Sequence, residues 1–263
     1  MLRKRIISAL VLIPLALAGA GLGAGYFAAL VALFGAAMAW EWVRVCNRGT
    51  FPPGGVVAVL AVPAAVLALH LSAGAAALAL LAGGAVLAGL AGLPGRRALW
   101  HGLGVLYVGL PCLALLWIRD DPESGLPTLL WTLVLVWSVD TGAYIAGRGI
   151  GGPKLAPRIS PNKTWAGLAG GVVAAVVMAA LAALGLGFGA LWPVAALAAL
   201  LAVVEQAGDL AESGFKRHFG VKDSSNLIPG HGGVLDRLDG LLAVSIAVAG
   251  LMMITKGGVP AWR

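Results

Sequence analysis

The sequence predicts an all-α, polytopic integral membrane protein of about nine transmembrane helices, and three observations predict it. Of its 263 residues, 60% are hydrophobic and only 11% charged, whereas a soluble domain carries roughly a quarter charged residues. The apolar residues gather into runs near the roughly 20 residues that cross a bilayer. Charges, prolines and glycine clusters separate those runs. Gly and Ala are abundant, as closely packed membrane helices require.

Taken in order, the expected spans lie at 6–23, 25–43, 56–72, 74–93, 99–118, 126–147, 165–187, 190–212 and 239–255. The first follows Arg3-Lys4-Arg5 and contains Ala16-Leu17-Ala18, the outline of a secretory signal. Because similar spans follow throughout the chain, it is expected as a retained helix. Between 56 and 93, glycines offer several breaks, and two spans are expected. Charge placement tests the count. With Arg3, Lys4 and Arg5 in the cytoplasm and the spans alternating, fifteen basic residues fall inside, against Arg119, Lys256 and Arg263 outside. The exterior connection Arg119-Asp120-Asp121-Pro122-Glu123 is acidic. This split obeys the positive-inside rule, and dropping one span would break it.

Two cytoplasmic connections, 148–164 and 213–238, hold almost all the polar chemistry. The expected organisation is an N-terminal scaffold over 1–125 and a C-terminal catalytic half over 126–263. The net charge of +7 is scattered in short clusters between spans, so it sets topology and meets anionic lipid or phosphate instead of nucleic acid. Cys46 and Cys112 have no metal-ligand spacing and are expected to pack as apolar residues.

Within the eighth span, Glu205, Asp209 and Glu212 recur at i, i+4 and i+7, on one helix face. Acids in a membrane helix are costly and normally face a bundle interior with a partner. Asp236 and Asp239 form a second acidic pair at i, i+3. A helix cap would account for one of them, but not for two beside Arg237 and directly after Pro229-Gly230-His231-Gly232-Gly233. Glycines let a backbone approach a ligand and present N–H groups to an anion. Mg²⁺ is held by one or two carboxylates, with phosphate oxygens and water completing its shell, and Asp209 and Asp236 could supply that minimum. His231 is expected as a substrate contact. In the other connection, Lys154, Arg158 and Lys163 offer positive charge, Ser160 and Thr164 offer hydroxyls, and glycines and prolines forbid a continuing helix. Asp140 is expected as another buried acid, two turns inside the sixth span.

These connections resemble the phosphatidate cytidylyltransferase (CDP-diacylglycerol synthase) family. The pattern S-x-x-K-R-x4-K-D-x4-[LIF]-P-G-H-G-G-[aliphatic]-x-D-R-[aliphatic]-D is matched by Ser213, Lys216, Arg217, Lys222, Asp223, Ile228, Pro229, Gly230, His231, Gly232, Gly233, Val234, Asp236, Arg237, Leu238 and Asp239. Upstream, Asp140, Ala143, Tyr144 and Gly147, then Ser160, Pro161, Lys163 and Thr164, match two more patterns, and Gly208-Asp209-Leu210 with Glu212-Ser213 matches a third. The motifs cover roughly 140–240; the first 125 residues are similar only as apolar spans. One position departs: Ala166 stands where the family often has Glu or Gln, so any contact of that side chain is absent or supplied elsewhere.

The resemblance implies a nucleotidyltransferase of phospholipid biosynthesis, joining CTP and phosphatidic acid to give CDP-diacylglycerol and pyrophosphate. It implies catalytic roles for Asp209, Asp236, Lys216, Arg217 and Asp239, with Mg²⁺ on Asp209, Asp236 and Asp239 and room for a second cation. Substrate contacts are implied for Lys154, Ser160, Lys163, Thr164, Lys222, Asp223, His231, Gly232, Gly233, Arg237 and Asp140. The implied setting is a bacterial inner (cytoplasmic) membrane, multi-pass, with the site facing the cytoplasm. Its partners are CTP, phosphatidic acid and the bilayer, and no nucleic acid; a homodimer is an open assembly. The competing readings are an ion-coupled transporter relaying protons through Asp140, Glu205 and Asp209, and a related CTP-dependent enzyme acting on another lipid. Against the transporter, the acids cluster at one membrane face and no inverted repeat is apparent.

Overall fold

Long apolar helices dominate the computed structural model, which describes residues 13–92, 97–188, 191–228 and 232–259. Among these residues, eight helices are long and apolar enough to cross a membrane. In chain order the elements are α1 (Ile13–Leu22), α2 (Ala24–Cys46), α3 (Val56–His70, preceded by a single 3₁₀ turn, Pro53–Gly55) and α4 (Gly74–Ala91). Then come α5 (Arg97–Arg119), α6 (Gly125–Gly149), β1 (Lys154–Ala156), β2 (Ser160–Thr164), α7 (Trp165–Gly185), α8 (Leu191–His218) and α9 (Leu235–Thr255). The multi-pass, all-α expectation holds. The stretch 56–93 does divide into two helices. The first expected span is described only from Ile13, and Arg3, Lys4, Arg5, Arg96 and Arg263 lie outside the described residues.

Two boundaries differ from the sequence expectation, and both bring polar residues into helices. α8 runs through Lys216, Arg217 and His218 instead of ending near 212. Cations in a last turn face the negative end of the helix dipole, and the stop comes at Gly220 (φ 76°). There the Gly220 and Val221 amides donate to the Arg217 and Lys216 carbonyls, the paired bonds of a Schellman ending. α9 begins at Leu235, so Asp236 and Asp239 lie inside it and not in a connection. The polar connection 213–238 therefore shrinks to 219–234. The other, 148–164, is a short antiparallel hairpin, with Lys154 opposite Thr164 and Ala156 opposite Ser160.

The chain packs as two compact units. One comprises 1–117 with 216–238, the other 118–215 with 239–263. This partition differs from the division at 125/126 expected from the sequence. The polar segment 216–238 goes with the N-terminal helices because it is tied to α2 by hydrogen bonds described below.

In the first unit, α2 to α5 are joined by small-residue contacts. A Cβ on Gly35 would press on Val62 and on the Cys112 sulfur. Cys46 and Cys112 are both buried and unpaired with each other, which fits their reading as packing residues. α2 ends at Asn47, whose side-chain amide donates to the Val43 carbonyl at 2.7 Å, satisfying one of the acceptors a helix end leaves open.

In the second unit, α6 and α7 run close together. A Cβ on Gly170 would collide with Ala146, and one on Gly142 with Ala174, the small-residue packing by which membrane helices associate. The buried Trp131 indole adds a polar tie, donating to the Ala179 carbonyl at 3.0 Å. β2 feeds α7 without a break: the Thr164 hydroxyl accepts from the Gly167 amide at 3.0 Å, an N-cap that fixes the hairpin to the helix start.

Candidate functional site

In the second unit the site is built on Lys163, the last residue but one of β2. Its ammonium lies 2.6 Å from the Asp209 carboxylate and donates to the Gln206 side-chain oxygen at 3.1 Å. Gln206 in turn donates to Glu205 at 2.7 Å, and the Ser213 hydroxyl donates to Asp209 at 3.2 Å. The regular face of α8 explains the set, since Glu205, Asp209, Glu212 and Ser213 stack at three- and four-residue spacings. Gln206 thus sets a carboxamide oxygen beside the lysine.

α8 and α9 approach at glycines. A Cβ on Gly240 would lie 2.5 Å from a Glu205 carboxyl oxygen, and one on Gly208 would press on Ala243. That approach brings the Asp239 carboxyl beside those of Asp209 and Glu212. Glu205 and Glu212 are buried; Asp209 keeps 24% of its side chain exposed. Asp140 faces Glu205 electrostatically, but it is exposed instead of buried as expected: it lies beyond Val139, the last buried residue of α6.

In the first unit the centre is Asp236. One carboxylate oxygen accepts from the Lys216 ammonium at 2.6 Å. The other accepts from the Ser224 amide, the Ser224 hydroxyl and the Gly233 amide at 2.9, 2.9 and 2.8 Å. The bond back to Gly233, three residues earlier, has the form of a capping box. Lys216 is buried, whereas Arg217, Lys222, Asp223 and Arg237 are exposed. Arg217 donates to the Val221 carbonyl at 2.9 Å. Arg237 points away from Asp236, as the helical spacing predicts.

The glycine pair has a geometric cause. Gly232 has φ +86°, a left-handed conformation that side chains disfavour. At Gly233 a Cβ would lie 2.5 Å from a Glu41 carboxyl oxygen and would strike Ser224. Pro229, Gly230 and His231 lie outside the described residues.

Lys154 and Arg158 are exposed on the hairpin, Ser160 is half-buried, and Thr164 is buried as the α7 cap. Sequence reasoning missed Glu41, Gln206, Ser224 and Ser225. Glu41 carried a readable signal: it is the only acid in the apolar stretch of α2, and an acid inside a membrane helix is a functional candidate by default.

Among the described residues, no three His, Cys, Asp or Glu side chains converge as a ready-made metal cage. Mg²⁺ does not need one, since it is usually held by one or two carboxylates plus phosphate oxygens. Asp209 and Asp239 fit that minimum, since the two acids are electrostatic neighbours at the α8–α9 contact. Only partial counter-charge comes from Lys163.

A family model described as the cytidylyltransferase family matches residues 3–255. The chain is similar to proteins named phosphatidate cytidylyltransferase in several bacteria. The Brucella suis protein is 51% identical over 146 residues, 56% of this chain and 54% of that protein. Thus the chain spans about half the length of the Brucella relatives it matches. The Pseudomonas aeruginosa protein is 40% identical over 293 aligned residues, 99% of this chain and 100% of its own. The Bacillus subtilis protein is 44% identical over 147 residues, 54% of this chain and 53% of its own.

Proposed function

The chain belongs to the cytidylyltransferase family, and we propose that it is a phosphatidate cytidylyltransferase, moving CMP from CTP to phosphatidic acid at the cytoplasmic face of a bacterial inner membrane. The observation that carries this reading is the seating of Lys163. A lysine of the matched motif sits between Asp209 and Gln206 at the root of a hairpin, not on a free loop. A fixed ammonium aimed by two partners suits a polyphosphate that must be held still. The inside bias of the basic residues supports the cytoplasmic orientation.

In the proposed reaction a phosphate oxygen of the lipid attacks the α-phosphorus of CTP. One P–O bond forms to the lipid, the bond to the β-phosphate oxygen breaks, and pyrophosphate leaves with that electron pair. The nucleophile is already an anion, so no strong base is required. Catalysis rests on positioning and charge neutralisation. Lys163 meets phosphate oxygen, and Asp209 with Gln206 keeps its ammonium oriented. Lys154 and Arg158 on the hairpin, and Arg217, Lys222 and Arg237 in the other polar segment, attract the nucleotide from water. Ser160 offers a hydroxyl to a phosphate. Lys216 has a different part, because it is already paired to Asp236: it holds that acid and the residues donating to it. Mg²⁺, on Asp209 and Asp239, would supply the remaining neutralisation of phosphate charge. For Asp236 to join the metal, Lys216 or one of three other donors would have to leave it.

The test is product analysis. Purified protein in detergent, given CTP, phosphatidic acid and Mg²⁺, should yield CDP-diacylglycerol and pyrophosphate, and a chelator should stop both. Absence of both products under those conditions sinks the reading; another lipid accepted in place of phosphatidic acid changes the substrate.

A further inference from the structure

Glu41 stands on α2 between Trp40 and Trp42 and is fully buried, 0% exposed. A carboxylate so placed is tolerated only where donors replace water. Its donors all come from the polar segment of its own unit. The Ser225 hydroxyl donates to one oxygen at 2.5 Å, with the Val234 amide at 2.9 Å. The Leu235 amide donates to the other at 2.7 Å. These two amides open α9, where a helix leaves N–H groups without internal partners and its dipole favours an anion.

The Ser224 hydroxyl lies between two acids, 3.3 Å from Glu41 and 2.9 Å from Asp236. A hydroxyl carries one proton, so it donates to one of them at a time, and the shorter contact assigns it to Asp236. Glu41 thus holds the two ends of the segment, at Ser225 and at Val234–Leu235. Asp236 gathers Ser224 and Gly233, the residues next to those ends, and pairs with Lys216. The bare Gly233 fits because Glu41 fills the space a Cβ would take.

We propose that Glu41 is a positioning residue for cytidylyl transfer: it pins Ser225 and the α9 start at Val234–Leu235 to α2 and so fixes the Asp236–Lys216 pair and the turn at Gly232–Gly233. The proposal rests on the functional reading above. Glu41 touches no substrate in this scheme and acts only through the segment it holds.

The test is Glu41→Gln in the full-length protein in lipid nanodiscs, read two ways. An amide at this position turns one acceptor oxygen into an N–H donor facing other donors. Hydrogen exchange at the amides of 233–235 should quicken at least about tenfold, as a lost anchor lets the segment open locally. In the pyrophosphate-release assay kcat should fall by about a hundredfold, the usual scale for a small misplacement of a reacting constellation, while KM for phosphatidic acid stays near wild type. A merely structural Glu41 would lower the yield of folded protein but leave kcat per folded molecule and the exchange pattern intact, and that result overturns the proposal. A kcat loss with unchanged exchange overturns it too. If Glu41→Gln does not fold, Ser225→Ala decides. It removes one donor from a half-buried position, and a several-fold loss of kcat with faster exchange at 233–235 supports the anchor; wild-type values in both overturn it. If the wild-type protein makes no pyrophosphate, the functional reading fails, and a positioning role in cytidylyl transfer fails with it. Exchange at 233–235 then still reports whether Glu41 pins the segment.

Discussion

Two lysine–aspartate pairs of equal length stand in the two units, and they are built for different ends. Lys216 and Asp236 meet at 2.6 Å with 10% and 4% of their side chains exposed. Asp236 receives three further donors, from Ser224 and Gly233. Lys163 and Asp209 also meet at 2.6 Å, but with 17% and 24% exposed, and Asp209 receives one further donor, from Ser213. Asp209 has acidic neighbours in place of those donors, Asp239 among them. A carboxylate ringed by donors anchors backbone; one with fewer donors, partial exposure and acidic company can still bind a cation. Equal distances do not mean equal work.

The sharpest way to break this contrast is to remove one partner of the sealed pair. Lys216→Met leaves a buried carboxylate without its counter-charge, and a loss on the order of 3–5 kcal/mol is expected for that kind of change. It should appear as a clearly lowered midpoint of thermal unfolding in detergent. Asp236→Asn should also lower the midpoint, because the buried Lys216 ammonium then loses the carboxylate it meets at 2.6 Å. Wild-type stability in both variants, joined to a lost Mg²⁺ requirement in Asp236→Asn, would exchange the roles assigned to the two aspartates.

For the open pair the expectation is reversed. Asp209→Asn should keep the unfolding midpoint near wild type, since a partly exposed pair contributes about 0–1 kcal/mol. Turnover should drop by about a hundredfold or more, the scale on which loss of one preorganised electrostatic group is felt. Pyrophosphate release at saturating CTP measures it. Normal turnover in this variant would remove Asp209 from the chemistry and leave Lys163 to act without its carboxylate.

Much of this contrast was legible in the sequence, and the illegible part has a physical reason. The i, i+4, i+7 spacing alone puts Glu205, Asp209 and Glu212 on one face of α8. The helical spacing also turned Arg237 away from Asp236. What spacing could not give were partners distant along the chain. Lys163 and Asp209 are 46 positions apart, and Glu41 meets Leu235 across 194; no local periodicity links them. The extents of α8 and α9 were hidden for a related reason. Charged residues read as a connection, whereas Lys216–His218 suit the end of a helix dipole and Asp236 suits a helix start. Gln206 beside Lys163 is another such partner, 43 positions away, that a linear pattern cannot display.

The glycine turn joins the sealed pair to its surroundings and should respond on a middle scale. Gly232→Ala forces a side chain into a left-handed conformation, at about 1–2 kcal/mol, and sets its Cβ 2.8 Å from an Asp236 carboxylate oxygen. Gly233→Ala should do more harm, because its Cβ meets Glu41 and Ser224 directly. Both should lower the unfolding midpoint, with Gly233→Ala below Gly232→Ala. The reverse order would mean that strain and the Asp236 contact at Gly232, not the packing of Glu41, govern this turn.

The smallest effect belongs to the hairpin beside the open pair. The Thr164 hydroxyl accepts from the Gly167 amide at 3.0 Å and is buried, so its visible work is capping α7. Thr164→Ala removes the cap and should cost about 1 kcal/mol of stability, seen as a small decrease in the unfolding midpoint. Thr164→Ser keeps the hydroxyl and should restore most of that loss. The two variants separate the cap from a substrate contact. If Thr164 also binds phosphate, the alanine variant will raise KM for CTP or phosphatidic acid and the serine variant will return it. A KM unchanged in both confines Thr164 to the helix start, and leaves Lys163, one residue earlier, as the hairpin's contribution to the open pair.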